Sequence, residues 1–275
     1  MKQVGDKVHI NGKEYTLGEE IGGGLEGKVF NVLELPKYAI KIISTANKSD
    51  NEIKKLRDHL NWLKDVVGQN EELKAKMALP KALLDDDFGY VMLKVNSKEC
   101  SSVAKYLEYP KEQQLFFEWC KNEYNLKKRL QICANLFRTL ERMHISGILF
   151  TDISPNNIMI HKTQNGLVFI DTDNTRRRSD PYVHVLGTEG YMAPEMFLQV
   201  DDTALKKAKE LRIDEEIFKN SAKISTESDV FAAAIIAFQL LTLQHPFVGD
   251  KVENGTADEE TLAYRCQTDY ILKEA

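Results

Sequence analysis

Apolar positions along the chain first alternate with polar ones and later fall into helical spacing. Val8-His9-Ile10 and Tyr15-Thr16-Leu17 flank Asn11-Gly12, a two-residue hairpin signal. Two more β-like runs follow at 28–33 and 38–43, separated by Pro36. Ile53, Leu56, Leu60 and Leu63 then recur at offsets of three, four and three, which marks one face of a helix. A further strand pair is predicted at 78–84 and 90–95. Leu126, Leu130, Cys133, Phe137, Leu140 and Met143 predict a long amphipathic helix, with Gly147 just past its end as a C-cap. A short β-like section runs to about residue 171, before a long irregular loop, a charged helical segment at 202–219 and an apolar helix from about Ser228. The pattern predicts an α+β protein. A small antiparallel, β-rich lobe with one main helix (1–95) is joined to a larger, mainly helical lobe (96–275).

The length of 275 residues corresponds to one or two domains at roughly 150 residues each. With 43% hydrophobic and 29% charged residues the chain is ordinary for a globular protein, which excludes disordered, collagen-like and disulfide-scaffold classes. Lys plus Arg number 37 against 42 Asp plus Glu, a net charge of −5 that gives no reason to expect nucleic acid or an anionic membrane as partner. Cys100, Cys120, Cys133 and Cys266 are scattered without Cys-x-x-Cys spacing, which reads as free thiols in a reducing, cytoplasmic compartment. The six histidines form no zinc-ligand cluster. The N-terminus is too polar for a signal peptide, and the apolar run 230–238 is too short to span a bilayer.

Three segments carry chemistry. The first contains Gly22-x-Gly24-x-x-Gly27-x-Val29, where glycines let backbone amides approach phosphate oxygens. The β-like residues that follow favour a glycine-rich hairpin over a strand-turn-helix dinucleotide site, and a plain flexible turn stands as the alternative. The second is Ala39-Ile40-Lys41, a strand lysine able to project inward and neutralise phosphate, although solvation is the commoner fate of one lysine. The third runs from Phe150 to Met159 and resumes at Val168-Phe-Ile-Asp-Thr-Asp173. Asn165-Gly166 signals a turn between them. Folding the chain about Gln164 pairs 161 with 167, 159 with 169 and 157 with 171. Asn157 and Asp171 then face each other, a carboxylate and an amide oxygen suited to Mg²⁺. Asp152, five residues before Asn157, stands where it could accept a hydroxyl proton. The competing reading makes these turn and capping residues.

Glycine loop, Ala-Ile-Lys, Asp-x-x-x-x-Asn, metal Asp and Ala193-Pro194-Glu195, in that order, resemble the eukaryotic-type protein kinase superfamily over residues 15–250. The texture is most like the bacterial eukaryotic-like Ser/Thr kinases. The resemblance implies a bilobal kinase fold and transfer of the γ-phosphoryl group of ATP, with Mg²⁺, to a Ser/Thr hydroxyl of a protein. It implies that Gly22, Gly24 and Gly27 cover the phosphates, and that Val29 and Ala39 sandwich adenine from above with Met159 below. It makes Met92 the gatekeeper and Leu93, Lys94 and Val95 the hinge. Lys41 would hold the phosphates, paired with Glu52 or, because the spacing is short, Asp58. Asp152 would act as base, and Asn157 and Asp171 would bind the metal. Thr188 would sit in the substrate-docking loop, and Asp229 would anchor the catalytic loop.

The departures from the family pattern are specific. Phe150-Thr151 replaces the usual His-Arg, which predicts activity without activation-loop phosphorylation. Ser154 replaces the usual lysine, which weakens the Ser/Thr assignment. Thr172-Asp173 replaces Phe-Gly, which argues against an inactive state governed by a flipped aromatic ring. Arg176-Arg-Arg-Ser179 reads first as a solvated basic loop, with a site for an acidic substrate as the sharper alternative. The stretch from Glu195 to Asp229, with the charged segment 204–212, is an insertion or a partner platform. Only 28 residues follow Phe247, and Arg265 is the one arginine left there to pair with Glu195. The chain therefore reads as a piece of a longer protein or a kinase with a reduced lobe. Two other functions compete: a small-molecule kinase of the aminoglycoside or choline type, and a nucleotide-binding pseudokinase scaffold.

Overall fold

The computed structural model describes residues 2–23, 27–45, 50–163, 166–179, 187–194, 196, 224–249, 252 and 254–264, with only the backbone at 52 and 258. Gly24, Asn165, Glu195, Arg265 and the segment 202–219 lie outside the described residues. The chain forms two compact units. The first comprises residues 2–98 with Val168–Asp173, and the second the described residues of 99–167 and from 174 onward.

The first unit is built on a six-stranded antiparallel sheet. Its strands are β1 (Lys7–Ile10), β2 (Lys13–Gly23), β3 (Gly27–Val32), β4 (Tyr38–Ile43), β5 (Ala82–Leu83) and β6 (Gly89–Leu93), in the order β1-β2-β3-β4-β6-β5. The Asn11-Gly12 turn joins β1 to β2 as predicted, with Ile10 opposite Lys13. Its two N–H groups donate to the Asp85 carboxylate at 3.2 and 2.8 Å. One sheet face buries Val8, Ile10, Leu17, Phe30, Val32, Ile40, Ile42 and Val91. Ile43 and Tyr90, on the opposite face, pack against Leu60 of helix α1 (Asp50–Gly68). Because both faces are covered, β4 is buried continuously from Ala39 to Ile43.

Leu60, Leu63 and Val67 of α1 are buried, so the predicted face exists but is displaced one turn towards the C-terminus. A single turn, α2 (Glu71–Lys74), follows, capped by Asn70. The expected strand at 78–84 contracts to the two residues of β5 because the Ala78 N–H donates to Phe169 O (2.8 Å) and Pro80 has no N–H to give. Gly27 permits a close approach between strands, since a Cβ there would lie 2.3 Å from Ile42 O.

The second unit is mainly helical: α3 (Val103–Leu107), α4 (Gln113–Asn122), α5 (Leu126–Ile145), α6 (Thr226–Thr242) and α7 (Ala257–Tyr264). Short strands β7 (Cys100–Ser102), β8 (Ile148–Phe150), β9 (Ile158–His161) and β11 (Thr175–Arg177) are threaded among them, and β10 (Leu167–Phe169) enters the segment Val168–Asp173 of the first unit. The α5 helix is as long as predicted and ends with Gly147 in the left-handed region (φ 75°). Its buried face differs from the predicted stripe. Ile132, Cys133, Leu136, Thr139, Leu140 and Met143 face inward, whereas Leu126, Leu130 and Phe137 are exposed. Two apolar stripes overlap in this helix, and packing selects the one richer at its C-terminal end. The capping box of α6 pairs Ser225 and Ser228 reciprocally. At the other end of α6, the Tyr124 hydroxyl and Arg129 guanidinium donate to the carbonyls of Leu240 and Leu241, which satisfies terminal acceptors of the helix. No helix of the described residues is long and apolar enough to cross a membrane.

Candidate active site

The strand register sets the surroundings of Lys41 in the first unit. Residues directly opposite each other in an antiparallel pair share a face, and so do residues two apart on one strand. Lys41 lies opposite Val29 on β3 and Tyr90 on β6, and Ala39 lies opposite Met92. Lys41, Val29, Ala39, Tyr90 and Met92 therefore point to one side of the sheet. Gly22, opposite Val29, and Gly27 belong to the β2–β3 hairpin, so the glycine motif joins two strands as expected rather than a strand and a helix. The Lys94 N–H donates to Lys37 O at 3.0 Å.

Segment 168–173 is tied to this first unit by backbone bonds. The Phe169 N–H donates to Lys76 O, and the Ala78 N–H donates back to Phe169 O, both at 2.8 Å. Asp171 adopts a positive φ of 54°, a conformation that Asp tolerates better than most residues. It leads into a 3₁₀ turn, Thr172–Asn174, in which the buried Thr172 hydroxyl donates to Ala78 O at 2.9 Å. Asp171, just before this turn, and Asp173 within it bring two carboxylates to Lys41. Its ammonium donates to Asp173 Oδ1 at 2.7 Å and to Asp171 Oδ1 at 3.1 Å. Lys41 and Asp173 are almost completely buried, whereas the Asp171 side chain is 43% exposed. Burial pulls the ammonium towards its neutral form, but the two carboxylates outweigh it and hold its pKa above the usual lysine value. The buried Tyr90 hydroxyl donates to Asp173 Oδ1 (2.9 Å). Burial, reinforced by Asp173, raises the phenol pKa well above normal, so Tyr90 stays protonated and remains a donor.

The second unit holds the Asp152 loop. The β8–β11 pair, with Phe150 opposite Thr175, fixes the strand that leads into it. Beneath the loop, Asp229 of α6 accepts the Phe150 N–H at 2.9 Å and bonds His144 Nε2 at 2.8 Å. Burial pushes the Asp229 carboxyl up to about 6, against the lowering effect of those hydrogen bonds. Asn157 Nδ2 donates to Asp152 O (3.0 Å) and Oδ2 (2.8 Å). Thr188 donates to Asp152 Oδ1 through its N–H (2.9 Å) and its hydroxyl (2.6 Å). Asp152 is thereby oriented from both sides. With the Asn157 amide nitrogen committed to Asp152, its Oδ1 is the atom able to accept a cation. Asn157 in the second unit and Asp171 in the first each offer an oxygen donor, the kind that a hard cation such as Mg²⁺ takes. Among the described residues no three His, Cys, Asp or Glu side chains gather into a metal cluster.

Met159 is half-buried on β9, opposite Ser102. Ser154 is buried and Thr151 donates its hydroxyl to Asn174 O, so neither departure from the family pattern brings a cation beside Asp152. Arg176 and Arg177 belong to β11 and are half-buried, whereas Arg178, whose N–H donates to Gly147 O, and Ser179 follow the strand and are exposed. Glu52 lies in α1, with only its backbone described. Asp58 is exposed on the same helix. Sequence reasoning missed Tyr90, His144 and the attachment of Asp173 to Lys41. Tyr90 could have been found from strand register, since it stands opposite Lys41.

Comparison with known proteins bears on the family. The family model for the protein kinase domain matches residues 15–273. The chain is 21% identical to the dual specificity protein kinase TTK of Mus musculus over 249 residues, covering 89% of this chain and 26% of that protein. It is 24% identical to SNF1-activating kinase 1 of Saccharomyces cerevisiae, over 86% of this chain and 22% of that one. It is 25% identical to the serine/threonine-protein kinase PknB of Mycolicibacterium smegmatis over 130 residues, 45% of this chain and 17% of that protein. The chain thus spans about a quarter or less of the length of these relatives.

Proposed function

The chain belongs to the protein kinase domain family, and we propose that it transfers the γ-phosphoryl group of ATP to a Ser or Thr hydroxyl of a protein substrate. The observation that carries this reading is the clamped Asp152 carboxylate, held by Asn157 on one side and Thr188 on the other. A base oriented before substrate arrives lowers the entropic part of the barrier. The acceptor oxygen attacks phosphorus in line, the bond to the ADP oxygen breaks, and the hydroxyl proton passes to Asp152. Lys41 neutralises the α- and β-phosphates. Asn157 and Asp171 supply oxygen ligands to Mg²⁺, which when bound screens the charge of the phosphates. Gly22, Gly24 and Gly27 cover the phosphates, and Val29, Ala39, Met92 and Met159 enclose the adenine, with Lys94 and Val95 as the hinge. The two compact units act as the lobes of one catalytic domain. Glu52 or Asp58 of α1 completes the surroundings of Lys41. Free thiols at Cys100, Cys120 and Cys133 accord with a reducing, cytoplasmic setting.

The test is incubation with γ-labelled ATP and Mg²⁺, with generic protein substrates in one arm and small hydroxyl compounds in the other. Label on Ser or Thr of protein, abolished by chelating the metal, supports the reading. Label only on small alcohols, or ATP binding without any transfer, overturns it.

A further inference from the structure

We propose that Asp173 is the positioning residue for Lys41, the fixed counter-ion that holds its ammonium while Asp171 serves the metal. This rests on the kinase reading of the Lys41 site and adds a role to a position where the family pattern has a glycine.

Four observations support it. First, the Lys41–Asp173 contact is the shorter of the two and joins two buried side chains, 6% and 4% exposed. A buried ammonium left without a buried partner carries a heavy desolvation cost, so this pair is the one the fold cannot lose. Second, Asp171 is 43% exposed at 3.1 Å. A carboxylate that shares its charge with a divalent cation holds a neighbouring ammonium less firmly, and Asp173 does not carry that second duty.

Third, Asp173 is itself immobilised. Tyr90 donates to the same Oδ1 that accepts from Lys41, and the register setting Tyr90 opposite Lys41 brings both donors to that oxygen from one sheet face. Fourth, the turn that carries Asp173 is pinned by Thr172 to Ala78 and by Phe169 to Lys76 and Ala78. The counter-ion therefore belongs to the same short segment as Asp171, and the two carboxylates keep a constant spacing. Lysine and metal-binding carboxylate are then aligned by one turn of 3₁₀ helix, independently of where α1 stands.

The experiment has two readouts. Urea unfolding of the wild type, Asp173→Asn, Lys41→Met and the double variant forms a cycle. Each single change lowers the midpoint, and the double variant is more stable than the sum of the two losses. Additive losses overturn the pairing, whether or not the protein proves to be a kinase. Steady-state phosphoryl transfer then tests positioning. Asn is isosteric and still accepts from Tyr90, so only the charge is removed. Asp173→Asn lowers kcat about 10- to 100-fold, the range expected for one charge-assisted hydrogen bond, with KM for ATP within about threefold. Tyr90→Phe moves kcat in the same direction by a smaller factor and covers the case in which the Asn variant does not fold. An unchanged kcat, or a loss confined to KM, overturns the positioning role. A wild type without any transfer overturns the kinase reading and that role together, and leaves the pairing to the unfolding cycle.

Discussion

One buried carboxylate organises the surroundings of Lys41 in the first unit and another organises the Asp152 loop in the second, in different ways. Asp173 is paired with an ammonium, whereas Asp229 is held by an imidazole and a backbone N–H and has its carboxyl pushed up to about 6 by burial. Because that value lies above the ordinary carboxylate range, the folded chain takes up a proton at Asp229 before the unfolded chain does. The contribution of this residue to stability therefore grows as pH falls from about 6 to about 4 and is lost as pH rises through 6. Melting temperatures of the wild type and Asp229→Asn, measured across that range, should diverge in favour of the wild type on acidification. A constant difference would contradict the assignment. Lys41, Asp152, Asn157 and Asp171 were legible as candidates because their residue types recur at motif spacing. Their partners were not. Lys41 meets Asp173 across 132 residues of chain, and His144 reaches Asp229 across 85. No local pattern encodes contacts that only tertiary packing creates.

At the scale of elements, the β3–β4 pair carries Lys41 in the first unit, and α6 with its capped start carries Asp229 in the second. A Cβ at position 27 would press on the Ile42 carbonyl, so Gly27→Ala should force β3 from β4 and cost about 1–3 kcal/mol. Chemical denaturation checks this, and a neutral effect would mean that the strands yield freely. Ser225→Ala removes one half of the α6 capping box and should cost about 1 kcal/mol, which for a chain of this size lowers Tm by about 2–4 °C. The Asn11-Gly12 hairpin, β3, β4, α1 and the extent of α5 were readable because turn chemistry and periodicity are local. The inward face of α5 was not, since Leu126, Leu130 and Phe137 complete an equally regular stripe and only the packed neighbours decide between them. The shortness of β5 was hidden for a related reason, because the backbone of Ala78 is used by Phe169.

At the scale of the molecule, a strand-rich unit carries Lys41 with Asp171 and Asp173, and a helical unit carries Asp152 with Asn157 and Thr188, within one protein kinase domain. The order of the motifs made that family readable, since each is weak alone and specific as a series. With Thr151 in place of the family's arginine and engaged with Asn174, no guanidinium precedes Asp152 to receive an activating phosphate. Phosphatase-treated protein should therefore keep its activity, and a requirement for rephosphorylation of the activation segment would contradict this. The most direct measurement is phosphoryl transfer from γ-labelled ATP to protein by the wild type and Asp152→Asn, with ATP binding measured on both. The account predicts equal binding to within about threefold and a loss of transfer of about 10²- to 10⁴-fold in the variant. Equal transfer by the two chains would contradict it.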